Sequence, residues 1–168
     1  VNEDGKNSVK IIEVDSNLPI KLPSFDNEDI TSVSFSESEE KIRLSVGSSK
    51  MPNDLFVYDI EDETLKKITN SLNPEIDSNS LVNAKVVRYK SFDGLEIPAI
   101  YYKPLNASKN NKVPALIWVH GGPGGQSRIG FNPLIQYLTN NGYAILAVNN
   151  RGSSGYGKSF YKMDDRNH

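Results

Sequence analysis

Four consecutive residues at the end of an apolar run are the strongest candidates for chemistry in this sequence. His120-Gly121-Gly122-Pro123 directly follows the run at 113–119. Glycines let a backbone turn tightly and approach a bound group closely, because they carry no Cβ. Main-chain N–H groups presented by such a turn can stabilise the oxyanion that forms during acyl transfer. Taken alone, the tetrapeptide is equally typical of a tight turn without a ligand, so both interpretations stay open.

The remaining reactive side chains are few. The chain contains no cysteine and two histidines, His120 and His168. Disulfides, thiolate metal sites and a cysteine nucleophile are therefore excluded, and the histidines lack the spacing of a metal-binding pair. The glycines at 121–125 match neither a phosphate-binding loop nor a dinucleotide fingerprint. The sequence therefore predicts no metal and no cofactor, and the isolated His168 is not expected to be catalytic.

Two apolar runs and one amphipathic segment must position the glycine turn. The runs, at 113–119 and 143–148, are continuous rather than alternating, which is typical of strands covered on both faces in a parallel sheet. A helix between them supplies the crossover that parallel neighbours require. Ligands bind beyond the carboxyl ends of such strands. We therefore expect the turn at 120–125 and the glycine-rich segment at 149–157 to lie at the same rim of the sheet.

The crossover helix is predicted together with its ends. Asn132 suits the N-cap and Pro133 the first helical position, while Gly142 suits a left-handed stop after the last turn. Four apolar residues are spaced to form one stripe along the helix: Phe131, Leu134, Ile135 and Leu138. The spacing predicts one apolar face.

Short strands separated by turns are predicted for residues 1–78. Five segments have the pattern of strands: 9–14, 30–36, 41–46, 54–60 and 65–69. Four strands over about 40 residues are typical of a propeller blade, which is stabilised by stacking on neighbouring blades. The polar segment 70–80 marks the best domain boundary in the chain.

The pattern changes after this boundary. Two strands are predicted at 85–90 and 96–102, and the Asp-Gly pair at 93–94 between them is a hairpin signal. Pro98 within the second strand suggests a position at the edge of the sheet, because proline cannot donate to a strand ladder. The segment 158–163 is predicted to begin another helix.

Composition fits a folded protein and excludes several kinds of partner. Hydrophobic residues make up 37% of the 168 residues and charged residues 24%, which allows a packed core. The net charge of −2 gives no electrostatic case for nucleic acid or for an anionic membrane surface. No apolar run approaches the roughly 18 residues needed to span a bilayer. Oligomeric state and compartment stay open, with the cytoplasm favoured slightly because no leader pattern is visible.

Three blocks of sequence together resemble one known family. They are Ser91-Phe92-Asp93-Gly94-Leu95-Glu96-Ile97-Pro98 with Tyr102-Lys103-Pro104, then His120-Gly121-Gly122-Pro123, then Asn150-Arg151-Gly152-Ser153-Ser154-Gly155-Tyr156-Gly157 with Phe160. Their order and spacing resemble the prolyl oligopeptidase family of serine peptidases, and most closely its acylaminoacyl-peptidase and dipeptidyl-peptidase-like branch. The likeness covers residues 81–168 firmly and the earlier residues loosely.

This resemblance implies a fold and an activity. The implied fold class is α/β: the N-terminal half of an α/β-hydrolase catalytic domain at 79–168, preceded at 1–78 by the last blade or blades of a β-propeller. The implied activity is hydrolysis of short peptides through an acyl-enzyme. A carboxylesterase or lipase-like hydrolase is one alternative, against which the blade-like strands and the block at 151–157 argue. A non-catalytic binding module is the other, against which an open sheet edge would argue.

The resemblance also implies roles for loop residues. The Gly122 N–H is the candidate for the first donor of an oxyanion hole, and His120, Gly121 and Pro123 shape the loop. His120 is expected to be a hydrogen-bonded loop residue rather than the general base, because the family's catalytic histidine follows the nucleophile. Supporting roles are implied for Arg151, Gly152, Gly155 and Gly157. For Arg151, an internal salt bridge that fixes the loop after it is preferred over a charge that faces the substrate, because a buried arginine needs a carboxylate partner.

Nearby aspartates and aromatic residues are given structural roles. Asp164 and Asp165 are carboxylates available to Arg151, and Tyr156 and Phe160 are expected to be core aromatics.

The nucleophile is expected elsewhere. In the family it lies in a Gly-x-Ser-x-Gly pentapeptide. Neither Ser154 nor Ser159 fits, because Tyr156 and Tyr161 occupy the fifth position. The resemblance therefore implies that the nucleophile, the aspartate and the histidine of the triad lie beyond His168, and that this chain is a fragment with no activity of its own.

Overall fold

The computed structural model describes residues 1–122 and 124–165, which form two four-stranded sheets and two short hairpins. Its strands are β1 (Asn2–Glu3), β2 (Lys6–Asn7), β3 (Ile11–Ile12), β4 (Pro19–Ile20), β5 (Asp29–Phe35), β6 (Lys41–Gly47), β7 (Asp54–Asp59), β8 (Leu65–Lys67), β9 (Ala84–Lys90), β10 (Glu96–Tyr102), β11 (Ala115–Val119) and β12 (Ala144–Val148). Its helices are α1 (Pro133–Asn140) and α2 (Lys158–Tyr161), with 3₁₀ turns at Ser78–Ser80 and Lys162–Asp164. Within the described residues, the helices are too short to cross a bilayer.

The first sheet is an antiparallel meander in the order β5-β6-β7-β8, which confirms the four strands predicted between positions 30 and 69. β6 contributes Ile42, Leu44 and Val46, each fully buried. Phe56 and Tyr58 of β7 pack in the same cluster. Alternation of apolar and polar residues predicted these strands correctly because one face of the sheet is buried.

A buried carboxylate fixes one end of this sheet. Asp54 is fully buried and accepts hydrogen bonds from the Thr69 hydroxyl at 2.9 Å and the Ser71 amide at 2.7 Å. The Lys67 ammonium lies 2.7 Å from its other oxygen. Burial alone would raise the pKa of Asp54, but these hydrogen bonds outweigh it and hold the pKa below its usual value. The charge therefore ties the start of β7 to β8 and to the segment after it.

Two short hairpins precede the first sheet, where the sequence patterns predicted one strand at 9–14. β1 and β2 form the first hairpin, and its turn residues Asp4 and Gly5 have left-handed φ angles of 57° and 80°. An Asp-Gly pair favours such a turn, but the flanking strands are too short to show any alternation. The strand predicted at 9–14 is shorter in the structure, where β3 pairs with β4.

The second sheet has the order β11-β12-β10-β9 and carries the glycine turn after β11. β11 and β12 pair in parallel with α1 between them, which confirms the predicted strand-helix-strand unit. β9 and β10 form the predicted hairpin. The position of β10 between β9 and β12 shows that the edge position predicted from Pro98 is wrong.

Pro98 is tolerated in this interior strand because it lies where a ladder ends. Pairing with β12 begins one residue later, at Ala99 opposite Val148. The Pro98 carbonyl accepts a hydrogen bond from the Asn149 amide at 2.9 Å. The missing N–H therefore costs at most one terminal bond of the ladder.

The two parallel strands differ in how well they are covered. β12 is buried along most of its length, as predicted for a strand covered on both faces. The same prediction is wrong for β11, in which Ile117 and Val119 are 63% and 67% exposed. β11 lies at the edge of the sheet, and nothing in the described ranges covers this face. An apolar strand at the edge of the sheet is therefore open to solvent.

The ends of α1 are as predicted, but its buried face is not. The Asn132 side chain accepts hydrogen bonds from the Leu134 and Ile135 amides, Pro133 opens the helix, and Gly142 has a φ of 88°. Within the predicted stripe, Ile135 is buried whereas Leu134 is 51% exposed.

A buried glutamine explains this rotation of the helix. Gln136 is 3% exposed, and its side-chain oxygen accepts from the Val82 amide at 2.9 Å. Its side-chain nitrogen donates to the Val82 carbonyl at 2.9 Å and to the Ser49 carbonyl at 2.6 Å. Hydrophobic periodicity could not reveal this face, because its central residue is polar and its partners are main-chain groups far away in sequence.

Stability is expected to fall at acidic pH through Asp54. A carboxyl whose pKa is lowered by folding stabilises the folded state above its unfolded pKa of about 4, and this contribution is lost as the pH falls through the lowered folded value. Asp54→Asn should therefore lose less unfolding free energy than the wild type does between about pH 6 and about pH 2. Urea unfolding across this range measures the difference. Asp15→Asn, at an exposed position, is the control and should follow the wild type.

Candidate functional site

Two loops meet at the carboxyl ends of β11 and β12, as the sequence predicted. The first loop spans residues 120–132, and the second loop spans residues 149–157. The Ser154 amide of the second loop donates to the Gly125 carbonyl of the first loop at 3.0 Å. The predicted glycine turn is therefore part of a rim that both loops build.

The Gly121 and Gly122 amides lie in an exposed part of this rim. Both residues are exposed, neither has a positive φ, and no described residue accepts a hydrogen bond from either amide. No heavy atom lies within 4 Å of the position that a Cβ would take on either residue. Pro123, which the sequence assigned to the same loop, lies outside the described residues. The turn can therefore offer main-chain donors to an external anionic oxygen.

The His120 ring is held from two sides. Its Nδ1 lies 2.9 Å from the Gly121 carbonyl oxygen, and its Nε2 lies 2.8 Å from the Ser153 hydroxyl oxygen. Ser153 belongs to the second loop and is fully buried. These contacts confirm the hydrogen-bonded loop histidine that the sequence predicted; His168 lies outside the described residues.

A buried asparagine joins the two loops. The Asn149 side chain is fully buried, and its oxygen accepts from the Ser127 amide at 2.6 Å. Its nitrogen donates to the Ser127 carbonyl at 3.0 Å and to the Tyr156 hydroxyl at 2.9 Å. Sequence reasoning missed both Asn149 and Ser153. The available signal was a polar residue directly after a buried strand, at a point where hydrophobic periodicity carries no information.

The second loop also packs through aromatic rings. The ring centres of Tyr156 and Phe160 lie 5.5 Å apart in an edge-to-face arrangement. Phe160 is 9% exposed, which confirms its predicted place in the core. Burial raises the pKa of the Tyr156 phenol. The hydroxyl therefore stays neutral and available to Asn149.

Glycine is required at two positions of the second loop. Gly152 and Gly155 have φ angles of 89° and 87°, which other residues rarely adopt. A Cβ on Gly152 would lie 2.0 Å from the Asp164 carboxylate, and one on Gly155 would lie 2.5 Å from the Gln126 side chain. Gly157 has a φ of 87° as well, but open space surrounds it.

Arg151 forms the salt bridge that the sequence predicted, but with a different carboxylate. Its Nη2 donates to Asp93 Oδ1 at 2.5 Å, and its guanidinium lies 5.3 Å from the centre of the Phe92 ring. The expected partners were Asp164 and Asp165. Antiparallel pairing of β10 with β12 brings the turn between β9 and β10 to the end of β12, and local sequence could not show this proximity.

The β1–β2 hairpin supports the far half of the first loop. The Gly5 carbonyl accepts from the Ile129 amide at 2.9 Å. The Asn2 side chain donates to the Gln126 side chain at 2.7 Å across 124 positions of sequence. Contacts over such distances leave no periodic signal, so sequence reasoning missed this support.

Cavities and metal-binding groups do not point to another site. A cavity of about 250 Å³ lies behind the first loop against Trp118, Phe131 and Ile135. A larger one, about 530 Å³, lies away from both loops beside segments 26–28 and 70–74. Within residues 1–122 and 124–165, no three His, Asp or Glu side chains are grouped to hold a metal ion. The exposed glycine amides, which have no acceptor among the described residues, make the glycine turn the candidate site.

Comparisons with known proteins relate the chain to peptidases. A model of the prolyl oligopeptidase family matches residues 130–168. Dipeptidyl aminopeptidase BIII of Pseudoxanthomonas mexicana is 33% identical over 123 residues, which cover 70% of this chain and 18% of that protein. The Pyrococcus horikoshii acylaminoacyl peptidase structure has a TM-score of 0.72 and 23% identity, covering 96% of this chain and 24% of that one. An acylaminoacyl peptidase in complex with Z-Gly-Gly-Phe-chloromethyl ketone has a TM-score of 0.59 and 26% identity, covering 82% and 21%.

The chain corresponds to only part of each of these relatives. It spans about a fifth of the length of each of them. The superposition on the Pyrococcus horikoshii structure covers nearly the whole chain. The fold described above is therefore shared with part of an acylaminoacyl peptidase.

Asn149→Ala is expected to destabilise the chain by about 2–4 kcal/mol, because it leaves the buried amide and carbonyl of Ser127 without partners. Urea unfolding measures the loss, and hydrogen exchange at the Ser127 amide reports on the loop itself. Asn150→Ala, at the exposed neighbouring position, is the matched control and should change stability by less than about 1 kcal/mol. Unchanged protection of the Ser127 amide in Asn149→Ala would contradict the role of this side chain.

Proposed function

The chain belongs to the prolyl oligopeptidase family, and from this membership we propose that it forms part of a serine peptidase that cleaves short peptides through an acyl-enzyme. The observation that carries the proposal is the exposed pair of amides at Gly121 and Gly122. No described residue accepts a hydrogen bond from either of them. They lie at the carboxyl end of a parallel strand, where such folds bind their ligands. Acyl transfer requires donors of this kind because negative charge develops on the carbonyl oxygen of the substrate.

The Gly122 N–H is the first donor of the oxyanion hole in this proposal. In α/β-hydrolases one donor comes from the loop after this strand, and the second comes from the residue that follows the nucleophile. The position of Gly122 at the open side of the turn supports this assignment. Arg151 and the glycines of the second loop have a supporting role, since they fix the loop that holds the turn.

We also propose a division of the chain into parts of two domains. Residues 1–78 would belong to a β-propeller, which the four-stranded meander β5–β8 supports. Residues 79–168 would belong to an α/β-hydrolase domain, which the β11–α1–β12 unit supports. The open apolar edge of β11 is where such a domain would pair a further parallel strand, and this edge also argues against an independent binding module.

Ser153 is not the nucleophile in this proposal, although its hydroxyl lies 2.8 Å from His120 Nε2. A serine within reach of an imidazole is the usual signature of nucleophile and base. Ser153 is fully buried, however, so a substrate carbonyl cannot reach it. The other ring nitrogen contacts the Gly121 carbonyl rather than a carboxylate. We therefore infer that the nucleophile comes from sequence outside these 168 residues.

The names of related proteins support a peptide as the substrate class. One is a dipeptidyl aminopeptidase, and another is an acylaminoacyl peptidase in complex with a Gly-Gly-Phe chloromethyl ketone. An ester substrate is the alternative. Assays of the full-length enzyme on aminoacyl amides and on simple esters distinguish the two, since turnover of esters alone would favour an esterase.

Replacing Gly122 by proline should remove the proposed donor in the full-length enzyme. We expect kcat to fall about 100- to 1000-fold, as for loss of one oxyanion-hole donor. Gly122→Ala keeps the N–H, and its Cβ meets open space at a φ that is not left-handed. This control should therefore stay within a few-fold of the wild type. Equal activities of the proline and alanine variants would show that the Gly122 amide is not a donor.

A fluorophosphonate probe tests where the nucleophile lies. We expect no labelling of the 168-residue chain, because its buried Ser153 cannot reach the probe. The full-length enzyme should be labelled at a serine of a Gly-x-Ser-x-Gly pentapeptide. Labelling of the short chain, located by peptide mass spectrometry, would overturn this part of the proposal.

A further inference from the structure

We propose that His120 and Ser153 are positioning residues that orient the peptide group between Gly121 and Gly122, so that the Gly122 N–H points outward to the substrate. This inference rests on the function proposed above. Neither side chain touches the reacting atoms. Both act through a line of hydrogen bonds from the Ser153 hydroxyl, through the imidazole, to the Gly121 carbonyl; we call this line the relay.

The carbonyl at one end of the relay determines which nitrogen of His120 carries the proton. A carbonyl oxygen only accepts hydrogen bonds, so Nδ1, at 2.9 Å from the Gly121 oxygen, must be the donor. In a neutral ring Nε2 is then the acceptor, and the Ser153 hydroxyl at 2.8 Å donates to it. The relay therefore requires the Nδ1–H tautomer of neutral His120.

The same carbonyl sets the direction of the next amide. A trans peptide group is planar, so its C=O and N–H point in opposite directions. Because the Gly121 carbonyl points at the His120 ring, the Gly122 N–H points away from the ring. This direction agrees with the exposure of Gly122 and with the lack of a described acceptor for its amide.

A peptide group between two glycines needs such a restraint. Glycine populates more backbone conformations than any other residue, so this peptide could rotate at little cost if it were free. The hydrogen bond from His120 opposes that rotation. The ring in turn is held by Ser153, whose complete burial leaves the hydroxyl no solvent partner to exchange for Nε2.

Packing at Gly125 independently supports the relay. A Cβ at this residue would lie 2.1 Å from the Gly121 oxygen and 2.7 Å from His120 Nδ1. The Gly125 carbonyl accepts a hydrogen bond at 3.0 Å from the amide of Ser154, which follows Ser153 in the second loop. The second loop therefore contacts the relay through Ser153. Through Ser154 it also holds Gly125, which packs beside the Gly121 carbonyl.

Nitrogen-15 NMR of the full-length enzyme tests the relay without any measurement of activity. We expect neutral His120 to be protonated at Nδ1, and we expect Ser153→Ala to produce a mixture of tautomers. Ser159→Ala, at an exposed position of α2, is the matched control and should leave the His120 spectrum unchanged. A dominant Nε2–H tautomer in the wild type would overturn the proposal, because the Gly121 carbonyl would then have no donor.

Kinetics of the full-length enzyme test the consequence for catalysis. His120→Asn keeps a nitrogen donor at the δ position, whereas His120→Gln offers one only at the ε position. We expect kcat to fall about 10- to 100-fold for His120→Gln and about tenfold or less for His120→Asn. KM should not change, because the oxyanion forms in the transition state and not in the bound substrate. A glutamine variant as active as the asparagine variant would overturn the proposal. Absence of peptide hydrolysis by the wild type would overturn only the proposed function, since the tautomer decides the relay separately.

Discussion

The bidentate contact between the Asn149 side chain and the main chain of Ser127 is the constraint on which the rim of the second sheet depends. The described residues of the first loop, 120–122 and 124–132, form no helix or strand, so the shape of the loop must come from contacts outside itself. Asn149 directly follows β12, and the position of that strand is fixed by pairing on both sides. The buried amide therefore transfers the geometry of the sheet to the loop that carries the glycine turn. Leaving these groups unpaired in the interior would cost more than the bonds themselves contribute.

The groups around the turn are mostly neutral, and the charged pairs lie further out. Arg151 with Asp93, and Arg88 with Asp4, are partly exposed ion pairs at the margins of the rim. Such pairs contribute little and weaken with salt. The inner contacts are hydrogen bonds among amide, hydroxyl, imidazole and main-chain groups, which salt screens weakly. Donors held in this way need no rearrangement when charge develops on a bound group, which is the condition for electrostatic stabilisation of a transition state.

Local patterns in the sequence predicted the elements but not the contacts between them. The strand-helix-strand unit, the meander and the caps of α1 are confirmed, since periodicity and capping depend on neighbouring residues. The edge position of Pro98, the coverage of β11 and the carboxylate partner of Arg151 were wrong, because each depends on a neighbour far away in sequence. Asn149 and Gln136 were missed because a buried polar residue interrupts the pattern from which burial is inferred. The glycine turn was found because a cluster of glycines directly after an apolar run is a local signal, which needs no knowledge of distant neighbours.

The buried Gln136 connects α1 to two segments that lie far apart in the sequence. Its side chain binds the main chain at Ser49, in the connection between β6 and β7, and at Val82, just before the second sheet. A hinge movement that separates the two sheets must either carry α1 along or break these bonds. Because α1 begins where the first loop ends, these bonds also fix the C-terminal end of that loop relative to both sheets.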